Sequence, residues 1–313
     1  MAIWTVHWRI ACCTYGKCVE LVLRCNSFRP YSVPFAQSVG VVISMSPALL
    51  RKYVFEYWKE HGRHDLPWRN TTDPYKILVS EVMLQQTQVE RVIPYYKKFL
   101  KQFLNVSTLA EAPLRDVLTL WQGLGYNRRA KMLHEAAKAV VAEHKGKFPT
   151  SALELEELPG IGPYTAGAVA AFAYNQDGIF IETNIRTVIT HHFFADKENV
   201  TDSEVRLVLE KVHPVGQARE WYAALMDYGA HLKRSGVRIN ARAKGYAKQS
   251  AFSGSPREAR GAIVRRLATG PATKQQLLHL LTTERKEQLS EQLEKLLGEK
   301  LVEKVGARYF LPH

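Results

Sequence analysis

Beyond Cys25 the chain contains no cysteine. The four it has, Cys12, Cys13, Cys18 and Cys25, crowd into the first 25 of 313 residues. This excludes a disulfide-stapled scaffold for the bulk of the chain and fits a reducing, cytoplasmic setting. Their spacing matches no ligand pattern, so no metal site is expected. Apolar runs of about 18 residues are missing, so no membrane-spanning helix is expected. Alternating strands, internal repeats and low-complexity tracts are absent between residues 47 and 236. Asp is missing from residues 233–313, where 17 Lys and Arg face only 7 Glu.

What is present starts with charge. The formal net charge is +13 and the pI about 9.5. Such an excess favours a polyanionic partner, nucleic acid first, although a merely basic or ribosome-associated protein has the same composition. The length suffices for two or three small domains. Residues 1–44 lack a helical period and read as an N-terminal extension, disordered or not native. Met45, followed by the helix-starting pair Ser46 and Pro47, reads as the biological start. Residues 45–235 are helical in pattern, with apolar residues recurring at three and four through Leu78, Val82, Leu84 and Val89. Breakers at Pro74, Pro113, Pro149 and Pro214 mark the joints. Residues 236–254 are polar and basic and read as a linker. Residues 257–267, 273–281 and 285–297 read as three helices. A hairpin over 301–311 turns at Gly306, so that 255–313 resembles a winged helix.

Two stretches carry chemistry. Residues 158–167 read Leu-Pro-Gly-Ile-Gly-Pro-Tyr-Thr-Ala-Gly. Gly160 and Gly162 make a tight hairpin whose backbone N–H groups can approach a phosphate, and Pro163 suits the first turn of the next helix. The alternative is a plain joint between helices. Residues 80–88 read Ser-Glu-Val-Met-Leu-Gln-Gln-Thr-Gln. Glu81 falls on an otherwise apolar face. There it is either a surface acid or a desolvated carboxylate whose raised pKa lets it donate a proton near neutrality. Gln85 and Gln86 can donate and accept, and so can replace a base swung out of a duplex; alone they read equally as a solvated face.

These strings occur in order with Leu-Pro-Trp-Arg at 66–69, Asp-Pro-Tyr at 73–75, Trp-Gln-Gly-Leu-Gly-Tyr at 121–126 and Lys-Phe-Pro at 147–149. In that order they resemble the A/G-specific adenine DNA glycosylases of the helix-hairpin-helix superfamily, from about residue 66 to about 229. The resemblance implies an all-α fold of two helical domains, 72–178 inserted between 45–71 and 179–235, with the active site in the cleft between them. It implies that Glu81 protonates the leaving adenine and then helps a water attack. It places a second carboxylate at Glu182 to stabilise the sugar cation, with Asn184 orienting it. Gln86 and Tyr126 align with the residues that enter the duplex. Gln85, Arg69, Lys233, Arg234 and the hairpin glycines complete the expected DNA contacts.

The sequence departs from that pattern at Glu182, at the missing cysteines and at its C-terminal end, and Tyr164 bears on the type of reaction. Glu182 stands where an Asp is usual, one methylene longer. The stretch after Trp221 lacks the four cysteines of an iron–sulfur cluster, so no cofactor is expected, and the basic residues between Lys233 and Lys248 are expected to take over DNA contacts. Tyr164 stands where relatives with lyase activity carry a catalytic Lys, which implies a monofunctional hydrolase. The winged-helix-like end stands where many relatives carry a reader of oxidised guanine. It is expected to touch the DNA backbone through Arg257, Arg260, Arg265 and Arg266 rather than to read bases. The expected protein is a monomer acting on double-stranded DNA with adenine opposite guanine or oxidised guanine. Its rivals are a thymine or uracil mismatch glycosylase and a non-catalytic DNA-binding protein. Against the latter, a pure binder has no use for Glu81 and Glu182 facing phosphates.

Overall fold

The computed structural model describes residues 45–237 and 251–313, and before them the backbone of Cys13–Thr14 and Lys17–Cys18, two short strands (β1 and β2) paired antiparallel. The chain divides into two units, Met1–Ser44 and Met45–His313. The expectations for the rest of residues 1–44 and for residues 238–250 lie outside the described residues. So do four of the basic residues expected at the DNA, Arg238, Arg242, Lys244 and Lys248. No helix among the described residues is long and apolar enough to cross a membrane.

The second unit opens with α1 (Pro47–His61), α2 (Pro74–Leu84) and α3 (Val89–Gln102). Ser46 caps α1 and Asp73 caps α2, each followed by Pro in the first turn, where the lost N–H has no helical partner to lose. Then come α4 (Val106–Glu111), α5 (Leu114–Leu120), α6 (Arg128–His144), α7 (Ala152–Glu156) and α8 (Pro163–Tyr174). The helical core closes with α9 (Thr183–Phe193), α10 (Asp202–Val212) and α11 (Ala218–Arg234).

The short side chains of α8 explain its place at the centre. Ala166, Ala168, Val169, Ala170 and Ala171 are all buried, so neighbouring helices approach it on nearly every side. It packs on α2, α7 and α11. The contact of α11 with the start of α9 needs a glycine. A methyl group on Gly229 would stand 2.3 Å from the carbonyl oxygen of Asn184.

One sequence expectation changes here. The apolar recurrence from Leu78 to Val89 is not one helical stripe. The chain leaves the helix at Gln85, and Gln86 takes a left-handed backbone with φ of +54°. Arg129 on α6 holds this turn: its Nη1 donates to the carbonyls of Val82, Met83 and Gln85 at 2.7, 3.0 and 2.7 Å. Those are orphan acceptors at the end of α2, satisfied from another helix.

Residues 251–313 form α12 (Pro256–Ala268), α13 (Lys274–Leu278) and α14 (Lys286–Gly298). The expected hairpin is β4 (Glu303–Val305) and β5 (Arg308–Phe310), but it gains a third strand, β3 (Ala272–Thr273), in the order β3-β5-β4. A two-residue strand has no periodicity to read. This segment is seated on the helical core: α12 packs on α5, Arg115 N donates to Pro312 O at 2.8 Å, and Lys131 Nζ donates to Glu299 O at 2.8 Å.

Candidate active site

Helices α2, α8 and α9 bring all four of the expected catalytic residues to one cavity of about 560 Å3, lined by Glu81, Tyr164, Glu182, Asn184, Arg69 and Gln86 among others. Glu81 is on the buried face of α2, 5% exposed. Tyr164, in the first turn of α8, donates its hydroxyl to Glu81 Oε2 at 2.7 Å. Burial pushes the Glu81 carboxyl up to about 7, with Glu182 adding to the rise, while the Tyr164 hydroxyl and Arg69 hold it back. Burial and the adjacent carboxylates also push the Tyr164 phenol well above its ordinary range, so it remains a donor.

Glu182 is treated differently by its surroundings. It caps α9, and Oε1 accepts from the backbone N–H groups of Asn184 at 2.7 Å and Ile185 at 3.1 Å. The longer Glu side chain curls back onto its own helix. Burial raises its pKa, but those N–H groups and the Lys233 cation oppose the rise. The helix N-terminus also favours an anion here. The arrangement therefore favours a proton on Glu81 and a charge on Glu182.

Lys233 was expected at the DNA. Its Nζ donates to Asn184 Oδ1 at 2.7 Å. Arg69, expected in the same role, is turned inward. Its Nη2 lies 3.4 Å from Asp227 Oδ1, and its Nη1 is buried with no hydrogen-bond partner among the described residues. Arg234 stays exposed at the end of α11, against Tyr57. Gln85 Nε2 approaches Thr165 Oγ1 at 3.4 Å. Tyr126 stands apart from this cavity, on a left-handed backbone with φ of +48°.

The hairpin between α7 and α8 has the expected form. Gly160 takes φ of +75°, and a methyl group there would meet Met132 Cβ at 2.4 Å. Gly162 caps α8 with open space where a side chain would be.

Sequence reasoning missed two residues. Asp227 is 2% exposed on α11 and binds Arg63 through both oxygens, at 2.8 and 2.9 Å, as well as Arg69. Arg129 sets the Gln86 turn. Both lie outside the quoted strings, and an Asp or Arg within a helix has no sequence mark of burial. The arginines of α12 also differ from expectation. Arg260 is paired with Glu299 at 3.0 and 2.5 Å, Arg266 donates to Gly270 O at 3.0 Å, and Arg257 donates to Tyr126 Oη at 3.1 Å. Of the four, Arg265 is the exposed one.

A helical frame with a glycine hairpin and two unequal carboxylates in one cavity defines a base-excision class. Residues 79–214 match the family described as HhH-GPD superfamily base excision DNA repair protein. The adenine DNA glycosylase of Buchnera aphidicola subsp. Baizongia pistaciae is 37% identical over 187 residues, 59% of this chain and 53% of that protein. The chain thus spans about half the length of that relative. The adenine DNA glycosylase of Mycolicibacterium smegmatis is 37% identical over 240 residues, 70% of this chain and 82% of that protein. A solved thermostable thymine-DNA glycosylase superposes with a TM-score of 0.55 at 25% identity, covering 63% of this chain and 94% of that one. On the Mycolicibacterium match, the chain belongs to the adenine DNA glycosylase family of the helix-hairpin-helix superfamily.

Among the described residues no group of three or more His, Cys, Asp or Glu is placed to hold a metal. The stretch from Trp221 to Val237 supplies no thiolate, so it does not fit an iron–sulfur cluster.

Proposed function

We propose that the chain is a monofunctional DNA glycosylase that hydrolyses the N-glycosidic bond of adenine mispaired with guanine or oxidised guanine. The observation that carries this reading is Glu81: buried, held by Tyr164, pushed up to about 7, and sharing its cavity with Glu182. The flipped base enters the cavity. Glu81 gives its proton to a ring nitrogen. The bond from sugar C1′ to the base breaks with its electron pair going to the base. Glu182 stabilises the cation left on the sugar. Glu81, now an anion, takes a proton from the water that adds at C1′. Tyr164 has no amine for a Schiff base, so no strand cleavage follows.

The partner is double-stranded DNA, bound by a monomer. The hairpin at Gly160 and Gly162 grips a phosphate, Gln86 and Tyr126 enter the stack, and residues 255–313 act as a winged-helix-like domain. No cofactor takes part, and the core from 45 to 235 works without a cluster.

Single-turnover excision on duplexes holding A opposite G, A opposite 8-oxoguanine, T opposite G and U opposite G tests this. Adenine release from the first two is expected, with strand scission only after alkali. The likeness to the thymine-DNA glycosylase favours the second reading. Release of thymine or uracil without adenine would establish it, and a borohydride-trapped protein–DNA adduct would remove the monofunctional assignment.

A further inference from the structure

Lys233 lies in the last turn of α11 and is half-buried. Gly229 lies one turn earlier on the same face of the helix. Its bare backbone lets α11 press against the start of α9, where a methyl group would stand 2.3 Å from the Asn184 carbonyl oxygen. That approach brings the Lys233 ammonium to Asn184 Oδ1 at 2.7 Å. A surface lysine keeps its ammonium in water. This one gives it to the side chain two residues after Glu182.

This bond fixes which way round Asn184 lies. An amide has an oxygen end that accepts and an NH2 end that donates, exchanged by a half-turn of the side chain. With Oδ1 held by a cation, the NH2 end is left for the Glu182 carboxylate, and a hydrogen bond from the Asn184 side chain does hold the Glu182 pKa down. Lys233 acts by charge as well, as the strongest cationic influence on Glu182. The other charged and titratable groups nearby are matched elsewhere. Arg63 and Arg69, which line the same cavity, pair with Asp227 of α11. Glu81 on α2 and Tyr164 on α8 are bonded to each other. Arg186 of α9 pairs with Asp202 of α10, and His191 and His192 lie in the last turn of α9.

We propose that Lys233 is a positioning residue for the reaction: its ammonium turns the Asn184 amide toward Glu182 and keeps Glu182 an anion, ready for the positive charge that develops on the sugar. The proposal rests on the reading of the chain as a glycosylase. Glu182 needs this support because it is buried, and burial favours the neutral form of a carboxyl group. A neutral carboxyl stabilises a cation poorly. A basic residue that reads from the sequence as a DNA contact thereby acts inside the protein, on the group that meets the sugar.

The test is the acid limb of the single-turnover pH profile of the full chain, where the rate falls as Glu182 takes up a proton. Lys233→Met removes the cation. The Glu182 pKa then rises, so the limb is expected to move up by about one pH unit, the lower end for a nearby opposite charge. At a fixed pH on that limb the rate falls about tenfold. The alkaline limb, set by Glu81, stays in place, and so does affinity for a duplex holding a tetrahydrofuran abasic analogue. Lys233→Arg keeps the charge and is expected to keep the limb. Lys233→Gln can still donate to Asn184, so it keeps the orientation without the charge. Its limb also moves up, and it carries the test if the Met variant does not fold. A limb that stays in place in the neutral variants would overturn the proposal, the more so with weaker binding to the abasic duplex, the mark of a phosphate contact. So would an Arg variant shifted as far as the Met one. The same pKa is read without excision by 13C NMR of carboxyl-labelled glutamate, the Glu182 signal being assigned by its loss in Glu182→Gln. If the wild type releases no adenine, the functional reading falls, and this titration still decides the role of Lys233.

Discussion

At the scale of single residues, the site turns on how differently two carboxylates are solvated. Glu81, buried, receives one phenol hydroxyl, whereas Glu182 receives two backbone N–H groups at a helix start. Glu81→Gln keeps the shape and removes the proton, so single-turnover excision should fall by about 10²–10⁴-fold while binding to the mispair persists. A variant retaining more than about a hundredth of the rate would contradict the general-acid role. The pH profile should carry the same mark. The reactive form of Glu81 is protonated, so the rate should decline as pH rises through about 7, and it should fall on the acid side as well, where Glu182, its own pKa raised by burial, takes up a proton. The Tyr164 hydrogen bond lowers the Glu81 pKa. Tyr164→Phe should therefore move the declining limb to higher pH, a shift read directly from rates between acid and alkaline buffers. A limb that stays in place, or moves down, would show that Tyr164 does not act on the proton of Glu81.

At the scale of elements, the site depends on helix ends. Glu182 occupies the N-cap of α9, Tyr164 the first turn of α8, and Gln86 the turn that ends α2. Arg129 is the link most exposed to test. Arg129→Ala would leave the carbonyls of Val82, Met83 and Gln85 without their partner and free the left-handed turn at Gln86. Removing a charged donor from partly buried acceptors costs about 1.5–3 kcal/mol. A lower melting temperature is expected, together with weaker binding to mispaired duplex, since Gln86 loses its fixed approach. Unchanged melting would mean that the turn holds itself. Gly229→Ala tests the contact of α11 with α9. The added methyl would meet the Asn184 carbonyl, and overpacking of this kind costs about 1–3 kcal/mol. Excision should suffer with stability, because Asn184 and Glu182 share that helix start.

For the whole molecule, the C-terminal segment is seated on the helical core rather than merely tethered to it. It binds the helical core through Arg115, Lys131 and Tyr126. The absence of cysteine beyond Cys25 bears at the same scale. Purified protein should be colourless and free of iron by elemental analysis. Stoichiometric iron would overturn this and bring the four N-terminal cysteines back as candidate ligands.

The sequence by itself determined the helical class and the hairpin at Gly160 and Gly162, and it singled out Glu81, Tyr164 and Glu182, which the fold gathers in one cavity. These are local features: glycine and proline set backbone geometry within a few residues, and the matching strings are continuous along the chain. Tertiary structure alone decided what those residues touch. Lys233 and Arg69 read as DNA contacts because both are basic, yet distant partners, Asn184 and Asp227, turn them inward. Arg129 ends α2 from a helix more than forty residues away, and Arg257 reaches Tyr126 across 131 positions. Such pairs have no period and no spacing. They exist only once packing has set which helix ends meet, and packing is a property of the folded whole.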